Sequence, residues 1–310
     1  MSAVQATLSG WLARDGERFY ETMIGFGKQP QLPHYQMTDR EAAVELARAE
    51  RDRVTAKDGL YLVSPEMTRL AVTAGAKLPY RELYAHDLPS TRGLMIFGEP
   101  LTTYRMVNGR DVDIVAVSWG PWAGPTGEWP DGGVWLSFYS DLGPHQPRAY
   151  SGPVRQLADR LGCPVGPLVP DNEAGWPFGE LTSTDFPPDS TGLWAQSLCA
   201  AWLLMAQPLA DTSLDVVPAA DRTRIRKAGF SPARGVQVVR LRRRERQQSR
   251  QGEKAHGRAY QHRWPVMPHW RRYHCGPGGA RIERRWIDLH VAGPEDKPVK
   301  ALPHVRVWDR

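Results

Sequence analysis

Three kinds of side chain crowd the segment from 262 to 290: His262, His269, His274 and His290; Trp264, Trp270 and Trp286; and Arg263, Arg271, Arg272, Arg281, Arg284 and Arg285. Each kind suits a polyanion. Arginine forks match phosphate oxygens, and aromatic rings offer stacking platforms worth about 1 to 3 kcal/mol per unpaired base. An unperturbed pKa of about 6.5 also lets one imidazole take a proton while another gives one near neutral pH, and RNA carries its own nucleophile in the 2′-OH. His262 and His269 are the candidates for that acid and base, with Arg271 stabilising the charge on phosphorus, so a metal-independent ribonuclease or toxin is one reading. A metal site of His262, His269, His274 and Cys275 is another, but this spacing matches no familiar zinc pattern, and neighbours on a strand point apart. No metal and no cofactor are expected.

Charge is segregated along the chain. The stretch from Asp221 to Trp286 holds 19 Lys and Arg against 4 Asp and Glu, a balance of +15, while the remainder holds 21 basic and 30 acidic residues, −9. Self-repulsion of that size calls for an anionic partner. The residues expected to meet nucleic acid, DNA or RNA, are Arg240, Arg242, Arg243, Arg244, Arg246, Arg250, Lys254, Arg258, Arg263, Arg272, Arg284 and Arg285. The competing structural account makes the three tryptophans the core of a small β module with arginines on its rim and Arg271 facing Glu283 across a hairpin. A third function class is an interaction protein, whose acidic part docks its own basic arm, another protein or a second copy.

Other enzyme signatures are absent. The chain carries no phosphate-binding loop with lysine, no His-Glu-x-x-His, no Gly-x-Ser-x-Gly and no dinucleotide fingerprint. Cys163, Cys199 and Cys275 are odd in number and far apart, which suggests a reducing compartment rather than a disulfide framework. The N-terminal residues have no apolar run of signal-peptide length, and Gly192 to Ala206 is too short for the roughly 20 residues of a membrane span. A cytoplasmic protein with no membrane partner is the expectation.

The C-terminal residues also form a pattern: His262-Arg263-Trp264-Pro265-Val266, Pro268-His269-Trp270-Arg271-Arg272, Arg285-Trp286-Ile287 and Gly293-Pro294-Glu295-Asp296-Lys297-Pro298. This resembles a family of uncharacterised proteins common in actinobacteria, their phages and plasmids. The likeness extends upstream through Ser64-Pro65-Glu66-Met67, Asp87-Leu88-Pro89-Ser90 and Val238-Val239-Arg240-Leu241-Arg242, which takes in most of the chain. The family pattern has a glycine where this chain has Pro268. The resemblance implies a mobile-element setting and assigns no chemistry.

The elements that must position these residues follow from periodicity. The first ninety residues read as helical. Thr38-Asp39-Arg40-Glu41 is a capping box ahead of a helix ending near Gly59, and Ser64-Pro65 opens a second helix that Gly75 stops. From Gly93 the pattern turns to strands at 94–97, 112–117 and 134–139, joined by Asn108-Gly109 and Asp131-Gly132-Gly133 into an antiparallel meander. Pro153 to Leu161 reads as a short helix and Gly166 to Ser190 as loop. Trp194, Leu198, Trp202 and Met205 then recur at helical spacing as a core stripe. A helix over 219–228, a strand over 236–241 and a flexible basic arm from Arg242 to Arg258 precede short strands in 260–266, 270–274 and 282–291. The expected fold class is therefore α+β: N-terminal helices packed on an antiparallel sheet, plus a small C-terminal β-hairpin module after a basic flexible arm. The domains are 1–217 (α+β), 218–258 (basic helix, strand and arm) and 259–310 (β-rich module).

Overall fold

The computed structural model describes residues 2–25, 38–56, 59–79, 81–105, 111–123, 129–141, 168–182, 186, 190–227, 235–242, 260–279, 281–294 and 296–299. The fold class is α+β. The chain divides into two compact units, Met1–Arg242 and Arg243–Arg310.

The first unit is built on a mixed sheet. Its strands are β1 (Leu60–Val63), β3 (Gly93–Phe97), β4 (Thr102–Arg105), β5 (Asp111–Trp122), β6 (Gly133–Asp141), β7 (Leu168–Pro177), β9 (Ala210–Val216) and β10 (Gly235–Leu241). They run in the order β7-β6-β5-β3-β1-β10-β9, with β4 paired to β5. The β3-β5-β6 meander is antiparallel, but β1 lies parallel to both β3 and β10. The antiparallel meander expected from the sequence is present as β3-β5-β6, and the parallel pairing of β1 makes the sheet as a whole mixed. Leu60-Tyr61-Leu62-Val63 is apolar without alternation because helices cover both faces of a parallel strand, and so short a run carries no period to read. A small ladder pairs β2 (Arg81–Glu82) with β8 (Leu181–Thr182).

Two further differences concern β7 and β10. β7 occupies the stretch expected to be loop; Pro170 sits in it because β7 is a terminal strand of the sheet, where a missing N–H can be tolerated. The sequence places β10 in a basic linking segment after 217, yet it lies between β1 and β9, so the compact first unit continues to Arg242. The helix expected at 153–161 lies outside the described residues.

Helices α1 (Ser2–Gly25), α2 (Asp39–Val54), α3 (Pro65–Gly75), α4 (Thr191–Met205) and α5 (Ala219–Lys227) complete the unit. Thr38 and Glu41 close the capping box of α2, and Ser64 caps α3 with Pro65 in its first turn. α2 ends at Val54, a turn earlier than Gly59 suggested. Adjacent strand residues point to opposite faces, which sorts the helices into layers. Leu8, Trp11, Leu12 and Phe19 of α1 and Leu46 and Ala47 of α2 share one core with Leu60, Leu94, Ala116, Tyr139, Val236 and Val238. On the other face, Trp202 and Trp194 of α4 pack edge-on to Trp119 and Phe138, with ring centroids 5.5 and 5.6 Å apart. α3 and α4 approach so closely that a Cβ on Gly75 would stand 2.7 Å from Ser197 Cα. α4 is buried almost all round, so its apolar stripe is core.

The second unit holds two ladders: β11 (Trp264–Val266) with β14 (His290–Ala292), and β12 (His269–Cys275) with β13 (Arg281–Ile287), all antiparallel. The last two form a hairpin. Its connection carries Gly276, Gly278 and Gly279 at positive φ, the conformation that turn glycines adopt most readily.

Candidate nucleic-acid interface

The hairpin register decides which side chains share a face. Trp270 opposes Trp286, Arg271 opposes Arg285, Arg272 opposes Arg284, and Tyr273 opposes Glu283. The expected pairing of Arg271 with Glu283 is therefore corrected: the strands are offset so that Arg271 meets another arginine. His269, Arg271, Tyr273, Arg285 and Glu283 lie on one face, and Trp270, Arg272, His274, Trp286 and Arg284 on the other.

On the first face, the Arg271 and Arg285 guanidinium carbons stand 5.1 and 5.2 Å from the Tyr273 ring centroid, within cation–π range. Arg285 Nη2 also donates to Glu283 Oε2 at 2.7 Å, and that carboxylate holds the guanidinium pKa above its ordinary value. Among the described residues no carboxylate pairs with Arg271 or Arg272 in an ion pair, and both are exposed. On the second face, Trp286 is buried and its ring meets Trp270 edge-on at 5.4 Å.

Several residues of the C-terminal segment have structural contacts. Trp270 and Trp286 form a cross-strand pair, and Trp264 packs against Tyr260 at 4.9 Å. Gly293 has φ 105°, and a Cβ there would stand 2.8 Å from the His262 carbonyl oxygen. His269 Nδ1 lies 2.8 Å from the Met267 carbonyl and His290 Nδ1 2.9 Å from that of Asp288, contacts that fix local turns.

All four histidines are exposed. His269 and Arg271 share a strand face, whereas His262 precedes β11 and His290 belongs to β14, in the other ladder. No hydrogen bond joins the candidate acid, His262, to the candidate base, His269, among the described residues. Among the same residues no group of three or more His, Cys, Asp or Glu could hold a metal ion.

Of the residues expected to meet nucleic acid, Arg263, Arg272, Arg284 and Arg285 lie in the second unit. Arg240 and Arg242 end the first, where exposed Arg240 donates to Ser213 Oγ at 2.9 Å. Arg243, Arg244, Arg246, Arg250, Lys254 and Arg258 lie outside the described residues.

An ionic cluster that the sequence reading missed is buried in the first unit. Glu50 of α2 is fully buried against Ser118, Ser137 and Tyr139. Its Oε1 accepts from the Ser118 and Tyr139 hydroxyls, and its Oε2 from the Ser137 hydroxyl at 2.8 Å and from Arg53 Nε at 3.2 Å and Nη2. Burial pushes the Glu50 carboxyl up, but Arg53 and the hydroxyl donors outweigh it and hold the pKa below the ordinary range. Glu173 of β7 opposes Ser137. Its Oε1 and the Tyr20 hydroxyl are buried without a hydrogen-bond partner among the described residues. Burial, then the Glu50 charge, push Glu173 up to about 8 against the pull of Arg53. The trace in sequence is faint: Glu50 and Arg53 stand on the face of α2 that also buries Ala43, Leu46, Ala47 and Val54. Such an arrangement positions a helix layer on a sheet, because one cation offsets one carboxylate and the second carboxyl must stay neutral.

Fold and site together define an α+β protein with a basic, two-stranded C-terminal ribbon. No protein-family model matches the chain, and no curated protein matches it. Among solved structures it is similar to the crystal structure of AcrVA2, at 11% identity and a TM-score of 0.46, over 94% of this chain and 98% of that one. A likeness of that degree carries no functional inference. No described helix is long and apolar enough to cross a membrane.

Proposed function

We infer that this is a nucleic-acid-binding protein of mobile-element origin, acting through its basic C-terminal region. The observation that carries this reading is the pair of successive arginine–arginine rungs, Arg271 with Arg285 and Arg272 with Arg284. Like charges directly opposite one another across a ladder are destabilising, and among the described residues Glu283 is the carboxylate paired into the first rung. A polyanion offsets that repulsion. The excess of 19 basic over 4 acidic residues from Asp221 to Trp286 extends the same field along the chain.

The test replaces Arg242, Arg243, Arg244, Arg246, Arg250, Lys254 and Arg258 by glutamine in the full chain and measures binding to mixed-sequence DNA and RNA by fluorescence anisotropy. Removing one phosphate contact reduces the slope of log affinity against log salt by about 0.9 on duplex DNA. The expected result is a large loss of affinity with a shallower slope. Unchanged affinity and slope would show that the basic arm does not meet phosphate.

A further inference from the structure

We propose that the β12–β13 ribbon enters the major groove of duplex DNA, with the face carrying Arg271, Arg285 and Glu283 turned to the base edges. This rests on the nucleic-acid reading above and narrows it to one partner.

Three features carry the proposal. The first is shape: β12 and β13 form a ladder of their own, seven residues on each strand, with no third strand on either edge among the described residues. Strands in a ladder lie about 4.8 Å apart. A ribbon of that kind fits a B-DNA major groove about 12 Å wide, whereas the major groove of an RNA duplex is too deep and narrow to be read.

The second feature is a difference in packing between the two faces, although Arg272 and His274 on the tryptophan side are exposed and Tyr273 and Glu283 on the other are half-buried. Trp286 is buried and Trp270 half-buried on one side, so part of that face is occupied by packing. His269, Arg271 and Arg285 on the other are exposed.

The third is the chemistry of that face. Glu283, the ion-pair partner of Arg285, stands opposite Tyr273, so this face presents a carboxylate beside its guanidinium groups. Base edges present both acceptors and donors. Guanine O6 and N7 match an arginine fork, and the cytosine amino group matches a carboxylate. Tyr273, under both guanidinium groups, limits their wandering before binding, which lowers the entropy cost of the contact.

The experiment titrates the full chain, at one fixed salt concentration, against three mixed-sequence probes: a 20-base-pair DNA duplex, an RNA duplex of the same sequence, and one DNA strand alone. The DNA duplex is expected to bind at least about tenfold tighter than the RNA duplex, whose deep, narrow major groove the ribbon cannot enter. R271A/R285A should erase most of that preference and leave the residual binding of the arm. R271K/R285K keeps the charge and removes the fork, so it should abolish the preference while retaining the salt slope. Both variants are checked by circular dichroism, and the lysine pair serves if the alanine pair fails to fold. Equal or tighter binding of the RNA duplex or the single strand overturns the ribbon proposal while leaving nucleic-acid binding intact. A preference for the DNA duplex that survives both double substitutions does the same. Failure to bind all three probes overturns both readings.

Discussion

Glu173→Gln isolates a half-buried acid whose Oε1 is enclosed beneath the helix layer of the first unit. In the folded protein Glu173 is held up to about 8, against an ordinary value of 4.5, chiefly by burial and then by the Glu50 charge. Below pH 4.5 the acid is neutral in both folded and unfolded chains, and it costs nothing. As pH rises the unfolded chain ionises first, so stability falls by about 1.4 kcal/mol per pH unit and levels off above about pH 8. From 4.5 to 7 that amounts to about 3 kcal/mol. Glutamine keeps the shape and never ionises. The assay is urea unfolding of wild type and variant at pH 5, 6, 7 and 8, read as the difference between the two chains so that other titrating groups cancel. The variant should gain on the wild type steadily across that range, by about 3 kcal/mol in all between pH 5 and 8. A difference that is the same at every pH would refute the idea that Glu173 is carried neutral.

Glu50→Gln should act in the opposite sense, because it leaves the Arg53 charge buried without its carboxylate; a loss of about 3 to 5 kcal/mol is expected in the same urea assay. Since Glu50 is held below its ordinary range, the stability it confers is present at neutral pH and is lost as pH falls through its depressed folded value, so the wild type should weaken in acid more than the Gln variant does. Gly75→Ala drives a methyl group against the Ser197 backbone at 2.7 Å and should destabilise the α3–α4 packing by about 1 to 3 kcal/mol, seen as a lower Tm.

Much of the fold was legible because local chemistry and tertiary structure agreed. The Thr38 and Ser64 caps, the β3-β5-β6 meander and the α4 stripe each carry a signal within a few residues. β1 and β7 were not legible. A four-residue apolar run has no period, and the Pro, Asp and Gly of β7 read as loop until its place at the end of the sheet is known. The sequence likewise marked the second unit as basic and aromatic, but pairing across a hairpin depends on where its turn falls. An offset of two residues put Arg285, not Glu283, opposite Arg271. The Glu50 cluster drew partners from α2, β5 and β6, and such long-range convergence leaves only two charges on an apolar helix face as its trace.

The central claim is that the basic C-terminal region grips a nucleic-acid backbone, and salt tests it most directly. Affinity of the full chain for a 20-base-pair DNA duplex is measured by anisotropy from 50 to 500 mM monovalent salt. Several phosphate contacts predict a straight line of log affinity against log salt with a slope steeper than about −4, at about 0.9 per contact. A flat line, or no binding at the lowest salt, would contradict the account.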